Sequence, residues 1–131
     1  MQDFWNEHSL NFLEMAHLTD HCERIRQPDG YGTRTGECGD RVEFFIMVNQ
    51  GRLETVSFDV NGCIHTTACC NTVVRLAVGC SLEKAWDITP DRVADYLETL
   101  PEDHLHCAEL AVGGFYLALS DFQNRAGKDR F

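Results

Sequence analysis

Two stretches of alternating side chains, separated by a short polar reversal, restrict this chain to folds that contain a β-hairpin. Residues 42–48 and 56–60 place Val, Phe or Ile at every second position, which is the periodicity of a strand with one buried face. Between them Asn49-Gln50-Gly51-Arg52 supplies a glycine for a tight turn, so an antiparallel hairpin is the economical connection. The entry to the first strand and the exit from the second are then neighbours in space.

Helical patterns flank the hairpin on both sides. Residues 4–22 and 66–78 carry apolar side chains at helical spacing, and a last helix is expected from His106 onwards. A proline and two glycines favour an open turn over residues 28–33, while residues 34–40 fit either a loop or a short edge strand. The sequence therefore predicts an α+β fold, with a small antiparallel sheet of about three strands covered by helices that are mostly C-terminal.

Two short helices are predicted between these larger elements. Ser81 is suited to cap the first, while Thr89 caps the second and Pro90 occupies its first helical position. A length of 131 residues is common for one domain. We therefore expect a single domain over residues 1–131, with a frayed tail over residues 124–131.

Charge and composition argue against two classes of partner. The chain has 21 acidic and 11 basic residues, a formal net charge of −10, so most of its surface would repel a phosphate backbone. No segment approaches the roughly 18 apolar residues that span a bilayer, and residues 1–8 lack the pattern of a secretory signal. We expect no nucleic acid, no membrane and a cytoplasmic location, where the seven cysteines would be free thiols.

Three short segments carry residues that bind metals. Cys38-Gly39-Asp40 precedes the first hairpin strand, Cys63 follows the second, and His106-Cys107 lies at the predicted start of the last helix. Thiols, an imidazole and a carboxylate are the donors expected for zinc or for iron with sulfide. In extended backbone, Cys38 and Asp40 would point to the same face, with Gly39 leaving space beside them. The hairpin brings this segment close to Cys63.

The helix start also predicts a reactive thiol at Cys107. Unpaired backbone N–H groups and the helix dipole favour a thiolate there, which is both a metal ligand and a nucleophile. Taken separately, each segment also fits a structural role: Cys38 as a buried thiol, Asp40 as a turn residue, and His106 as a capping imidazole beside a buried Cys107. The metal-site interpretation therefore depends on the segments acting together.

The sequence of these segments resembles the IscU and N-terminal NifU family of iron–sulfur cluster assembly scaffolds. The resemblance runs from about Pro28 to Phe122 and rests on Glu37-Cys38-Gly39-Asp40, on Phe58 to Cys63, and on Leu100-Pro101 followed by His106-Cys107. It implies the SufE/NifU type of fold. It also implies that Cys38, Cys63 and Cys107 bind the cluster, with Asp40 and His106 as candidates for the fourth position.

The same resemblance implies a transfer protein and not a turnover enzyme. Its expected cargo is a labile [2Fe–2S] or [4Fe–4S] cluster, with zinc in the cluster-free form. Sulfur would come from a cysteine desulfurase and be received as a persulfide on Cys107, and electrons would come from a ferredoxin-type donor. The finished cluster would pass to acceptor apoproteins, from a scaffold that is a monomer or a homodimer.

The chain also departs from the family. The IscU branch has a Leu-Pro-Pro-Val-Lys segment recognised by an Hsp70 chaperone, whereas residues 100–104 read Leu-Pro-Glu-Asp-His, which puts chaperone recognition in doubt. The SufU branch lacks the histidine before the last cysteine and carries an insertion, and neither feature fits. The rival hypotheses are a SufU-like zinc-dependent sulfurtransferase that accepts sulfur on Cys107, and a domain with purely structural zinc.

Three further residues follow Cys63 where the family has small side chains. His65 fits a surface imidazole, or else an extra ligand or proton relay. Cys69 and Cys70 fit core thiols, although Cys69 could instead store sulfur.

Overall fold

The computed structural model describes residues 9–19, 21–37 and 39–129. Its elements follow the predicted order of a helix, a sheet and then further helices. The helices and strands are α1 (Leu10–His17), β1 (Gly30–Thr35), β2 (Arg41–Asn49), β3 (Arg52–Asn61), α2 (Ile64–Ala77), α3 (Leu82–Ala85), α4 (Pro90–Leu97), a 3₁₀ turn (Glu102–His104) and α5 (Leu105–Asp129).

The sheet confirms the predicted hairpin and adds one strand to it. Its order is β1-β2-β3, with both pairs antiparallel. Gln50 and Gly51, at the centre of the reversal, both have positive φ, 53° and 75°, which is the conformation of a tight hairpin turn whose twist matches its strands. At the other end Arg41 lies opposite Asn61, so the residues before β2 and after β3 are neighbours.

Strand β1 replaces the open turn predicted over residues 28–33, and that prediction was wrong. The glycines there serve close packing, because a Cβ atom on Gly30 would lie 2.4 Å from the Ala118 carbonyl oxygen of α5. A Cβ atom on Gly32 would lie 2.4 Å from the backbone nitrogen of Ala118. Glycine therefore lets the backbones of β1 and α5 touch, a use of glycine in strands that a local turn signal does not reveal.

Helix α1 is shorter than the helix predicted over residues 4–22. It begins after Ser9, whose hydroxyl accepts from the Phe12 N–H at 3.0 Å, and Leu18 already has extended backbone. The buried amide of Asn71 donates to the carbonyl groups of Met15 and Leu18 at 2.8 and 2.9 Å, which satisfies carbonyls left open at the helix end. Residues 4–8 of the prediction lie outside the described residues.

The core lies between one face of the sheet and the helices α2 and α5. Phe44 of β2 contacts both Phe58 of β3 and Phe115 of α5, with ring centroids 5.9 Å apart in each pair. The predicted caps are confirmed, since the Ser81 and Thr89 hydroxyls accept from backbone N–H groups of α3 and α4. The architecture is the α+β arrangement predicted from the sequence.

Helix α5 forms the long C-terminal side of this core. It continues to Asp129, where the sequence predicted a frayed tail from residue 124, and fraying of its last turns stays a prediction. Among the helices in the described part of the chain, none is both long and apolar enough to cross a membrane.

Candidate metal centre

The candidate site lies where the segment before β2 meets the first turns of α2 and α5. Asp40 joins the first two: its Oδ2 accepts from the Thr66 hydroxyl at 2.6 Å and from the Cys63 backbone N–H at 3.2 Å. Cys63 is the N-cap residue of α2 but makes no capping bond with its own side chain. The carboxylate therefore takes that role, in the position where the helix dipole favours negative charge.

Gly62 makes this approach of Asp40 to the helix possible. A Cβ atom on Gly62 would lie 2.6 Å from both Cγ and Oδ2 of Asp40. That separation is shorter than any ordinary contact, so a side chain there would push the carboxylate away from Cys63. The Gly-Cys pair at the end of β3 thus couples the position of the carboxylate to that of the thiol.

Backbone hydrogen bonds join Gly36 to Gly39 and to Asp40, and Gly39 does not have the extended backbone expected from the sequence. The Gly36 N–H donates to the Asp40 carbonyl at 2.8 Å, and the Gly39 N–H donates to the Gly36 carbonyl at 3.0 Å. Gly39 has φ +91°, a value that favours glycine. The expectation that Cys38 and Asp40 point to the same face stays a prediction. Cys38 lies outside the described residues, so its role as a ligand stays a prediction.

Two thiols and one imidazole converge beside Asp40. The donor atoms of Cys63, His104 and Cys107 all lie within 4.8 Å of one another. Cys63 is exposed and His104 is half-buried, whereas Cys107 has no exposed surface. The set therefore combines a buried thiol with one that is accessible to solvent.

His106, the imidazole named from the sequence, lies beside this set. Its Nε2 is 3.6 Å from the Cys107 sulfur, but its side chain is exposed and faces a different space. That space is a cavity of about 510 Å³ whose lining also includes Arg34, Glu37 and Glu109. His106 is thus placed to contact Cys107 from the side of the cavity that Arg34 and Glu37 line.

Burial, and not the helix dipole, dominates the acidity of Cys107. Burial raises the pKa of its thiol to about 12, with a smaller opposing effect from a hydrogen bond to Thr66 and further raising effects from Cys63 and Asp40. The sequence-based expectation of a thiolate at this helix start is therefore wrong for the metal-free protein. A cation in the pocket would replace the lost solvation and favour the thiolate, as metals do for coordinating thiols.

The other residues of α2 divide between the core and the site. Cys69 and Cys70 are fully buried, and burial raises the pKa of both thiols well above the usual value. These are core thiols, and their burial disfavours sulfur storage on Cys69. His65 is half-buried and not a surface imidazole. Its ring stacks on His104, with centroids 3.7 Å apart and planes 10° apart.

His104 is the residue that sequence reasoning missed. It ends the 3₁₀ turn immediately before α5 and lies three residues before Cys107, a spacing that places both side chains on one face of a helix. The spacing was visible in the sequence. The family motif places its histidine directly before the last cysteine, at His106. His104 instead falls where the IscU branch has its lysine.

The donor types fit a soft or borderline metal. Thiolates select zinc and iron with sulfide, imidazole suits zinc and iron, and a carboxylate is the harder, weaker partner for such metals. Cys63, Cys107, His104 and Asp40 therefore supply a mixed set near one opening of the molecule. Such a set can hold a metal ion or the edge of a small cluster without enclosing it.

Similarity to known proteins agrees with this chemistry. The family profile described as NifU-like N terminal domain matches residues 23–129. The iron-sulfur cluster assembly scaffold protein IscU 1 of Archaeoglobus fulgidus is 34% identical over 106 residues, which cover 80% of this chain and 69% of that protein. The scaffold protein IscU of Escherichia coli K12 is 33% identical over 89 residues, covering 67% of this chain and 69% of the relative.

Solved structures share the fold at low sequence identity. The N-terminal NifU-like protein from Brucella abortus has a TM-score of 0.74 at 14% identity, covering 88% of this chain and 94% of that one. A putative scaffold protein for the SUF system from Fervidobacterium islandicum AW-1 also has a TM-score of 0.74 at 14% identity, covering 87% and 97%. The chain therefore belongs to the NifU-like N-terminal domain family and is a relative of the IscU-type iron–sulfur cluster assembly scaffold proteins.

Proposed function

We propose that this protein assembles a labile iron–sulfur cluster and hands it to acceptor apoproteins. Cys63 and Cys107 bind the cluster together with Cys38, and either Asp40 or His106 supplies the fourth position. The observation that carries the proposal is the convergence of the Cys63 and Cys107 sulfurs in one pocket, in a chain of this family. Residues distant in sequence meet there because the hairpin and two helix starts share one end of the molecule.

The mixed donor set supports weak binding and release of the cluster. Stable ferredoxin clusters are usually held by four thiolates, and exchanging one thiolate for a carboxylate or an imidazole weakens the hold on iron. Cys63 is exposed and gives an acceptor a route to the cargo. A [2Fe–2S] cluster suits this small opening, and a [4Fe–4S] cluster is the alternative cargo to be distinguished by spectroscopy.

The proposed partners follow from what such an assembly consumes. A cysteine desulfurase delivers sulfur as a persulfide on Cys107, a ferredoxin-type donor delivers electrons, and zinc occupies the donors when no cluster is present. The protein acts as a single scaffold domain over residues 1–131, as a monomer or homodimer. A reducing compartment such as the cytoplasm suits its thiols, and the described cysteines are free thiols.

A zinc-dependent sulfurtransferase is the second candidate, because the donor types also fit zinc. In that function zinc is held by Cys38, Asp40 and Cys63, while Cys107 accepts sulfur. The proximity of Cys107 to the Cys63 sulfur favours the scaffold, because two thiols this close together can bind the same cluster, whereas the sulfurtransferase does not use Cys107 as a ligand.

Anaerobic reconstitution separates these functions. The protein is incubated with ferrous iron, cysteine, a reductant and a cysteine desulfurase, and is then mixed with an apo-ferredoxin. The scaffold function predicts visible charge-transfer absorption, acid-labile sulfide and movement of both to the acceptor. Colourless protein that keeps zinc while passing sulfur on would support the sulfurtransferase. Complete unfolding when a chelator removes metal would instead indicate structural zinc.

A further inference from the structure

We propose that His104 is a metal ligand, completing with Cys63 and Cys107 a three-donor site for one borderline divalent cation, Fe²⁺ or Zn²⁺. The site deepens the proposed function and rests on it, because the same two thiols would later hold the cluster. It identifies the position at which the first metal ion binds before sulfur arrives. It also assigns a role to the histidine that stands where the IscU branch has a lysine.

The distances suit a tetrahedral ion. Metal–sulfur bonds of about 2.3 Å and metal–nitrogen bonds of about 2.0–2.1 Å hold neighbouring donors about 3.5 to 3.8 Å apart. His104 Nδ1 already lies 3.9 Å from the Cys107 sulfur, and the largest separation within the three-donor set is no more than 4.8 Å. An inward movement of about 1 Å or less therefore completes the ligand geometry, which side-chain rotation can supply.

The backbone before α5 directs His104 toward the thiols. The His104 N–H donates to the Pro101 carbonyl at 2.9 Å, which closes the 3₁₀ turn and joins it to the helix. His104 and Cys107 are then separated by three residues on one continuous helical surface. The imidazole is thus placed by regular secondary structure and not by a loop, which gives it a defined position relative to the buried thiol.

His65 is a positioning residue for His104. Its ring stacks on the His104 ring at 3.7 Å and packs against Phe12 of α1 at 5.5 Å between centroids. Its Nδ1 also lies 3.9 Å from the Cys63 sulfur. His65 therefore contacts two of the three proposed ligands and links them to the core. Groups of this kind, which touch the ligands without binding the metal, commonly affect metal affinity about 10- to 100-fold.

The site leaves one coordination position for another donor. Zinc sites with three protein ligands keep a fourth position for water or substrate, and here the exposed Cys63 marks the side open to solvent. Asp40 lies next to this opening, held to Thr66 and to the Cys63 backbone. A sulfur donor can thus reach a metal ion whose protein ligands are already in place.

Cobalt binding tests the assignment. Co²⁺ is titrated anaerobically into the metal-free protein, with thiolate charge-transfer and d–d absorption as the readout, and competition with Zn²⁺ gives the zinc affinity. We expect His104→Ala to weaken binding at least tenfold, because losing a ligand should cost no less than losing a group that only positions one. The matched control is His17→Ala, which removes an exposed histidine from the far end of α1 and should bind like the unchanged protein.

Nitrogen NMR gives a readout that does not depend on a variant folding. With ¹⁵N-histidine and ¹¹³Cd²⁺ in the unchanged protein, a one-bond ¹⁵N–¹¹³Cd coupling should appear on His104. A coupling on His106 alone, or unchanged Co²⁺ affinity in a folded His104→Ala protein, would overturn the assignment.

The outcome is separable from that of the proposed function. If the unchanged protein builds and transfers a cluster but His104 shows no metal coupling, the scaffold stands and this ligand assignment fails. If His104 shows the coupling but reconstitution yields no cluster, the metal site stands and the scaffold proposal fails. Parallel titrations with Fe²⁺ and Zn²⁺ then show which of the two cations the site prefers.

Discussion

Two pairs of cysteines in this molecule, Cys63 with Cys107 and Cys69 with Cys70, have opposite surroundings. Cys63 and Cys107 meet at the open end of the sheet, where histidines and a carboxylate surround them. Cys69 and Cys70, less than two turns further along α2, have no exposed surface and lie in the apolar core. Chemically identical side chains thus become a candidate metal site in one case and core packing in the other.

The difference shows that neighbours and access decide what a thiol does. Burial alone does not separate the pairs, because Cys107 is as buried as Cys69. What distinguishes Cys107 is a second sulfur and an imidazole within 4.8 Å, so that a cation can compensate for lost solvation. Cys70 has no metal-binding group of this kind among the described residues, since the described chain contains a single such cluster.

The largest effect is expected from removing the buried thiol of the site. Cys107→Ser should abolish cluster formation, because a neutral hydroxyl is a poor ligand for iron in place of a thiolate. The control is Cys70→Ala, which should cost roughly 1 kcal/mol through a small cavity but leave the cluster yield per folded molecule unchanged. Acid-labile sulfide after anaerobic reconstitution measures both. Normal yield in the serine variant would remove Cys107 from the site.

Alkylation of the metal-free protein should sharpen the contrast between the pairs. At pH 8 iodoacetamide should label Cys63 before Cys107, because Cys63 is exposed, and should spare Cys69 and Cys70 until the protein unfolds. The raised pKa of Cys107, about 12, leaves only about one thiolate in ten thousand at pH 8. Its labelling should therefore accelerate about tenfold per pH unit between pH 8 and 10.

Mass spectrometry of digested protein reads each cysteine in that experiment. Labelling of Cys107 as fast as Cys63 at pH 8 would show that its thiol is neither buried nor held protonated. Bound zinc should protect both site thiols and leave the exposed Cys22 reactive, which serves as the internal control.

A smaller effect is expected at Asp40. Asp40→Ala should slow cluster transfer by about tenfold or less, equivalent to ~1.4 kcal/mol at most, because the remaining donors hold iron more strongly. The change also leaves the buried Thr66 hydroxyl without its 2.6 Å acceptor, a cost of about 1–3 kcal/mol in stability. Transfer to an apo-ferredoxin, followed by circular dichroism, gives the rate.

Asp40→Asn separates the two roles of this side chain. It keeps an oxygen acceptor for Thr66 but removes the carboxylate, so slow transfer in both variants supports a ligand. Slow transfer only in the alanine variant would mean that Asp40 acts by positioning the start of α2.

Local patterns predicted the parts of the fold that local forces determine. Alternation and a glycine reversal predicted the hairpin, and the capping residues Ser81 and Thr89 predicted the short helices. Strand β1 could not be predicted in the same way, because its glycines are needed for close packing against the backbone of α5, more than 80 residues later in the sequence. The end of α1 likewise depends on a distant side chain, the amide of Asn71.

The site was predictable in composition but not in arrangement. The sequence identified two of the converging donors, Cys63 and Cys107, and placed Asp40 beside them through the hairpin register. It did not identify His104, whose role depends on a 3₁₀ turn running directly into α5. Nor did it predict the acidity of Cys107, since the helix-start argument omits the cost of burial.

The contact between the backbones of β1 and α5 has a mechanical consequence. Asp40 lies five residues after the end of β1, while α5 carries Cys107 in its first turn. Gly30 and Gly32 let the backbones of β1 and α5 pack directly on each other, without side chains between them. This contact therefore fixes the distance between the strand that precedes Asp40 and the helix that contains Cys107. Two glycines outside the candidate site thus determine how far apart its Asp40 and Cys107 sides lie.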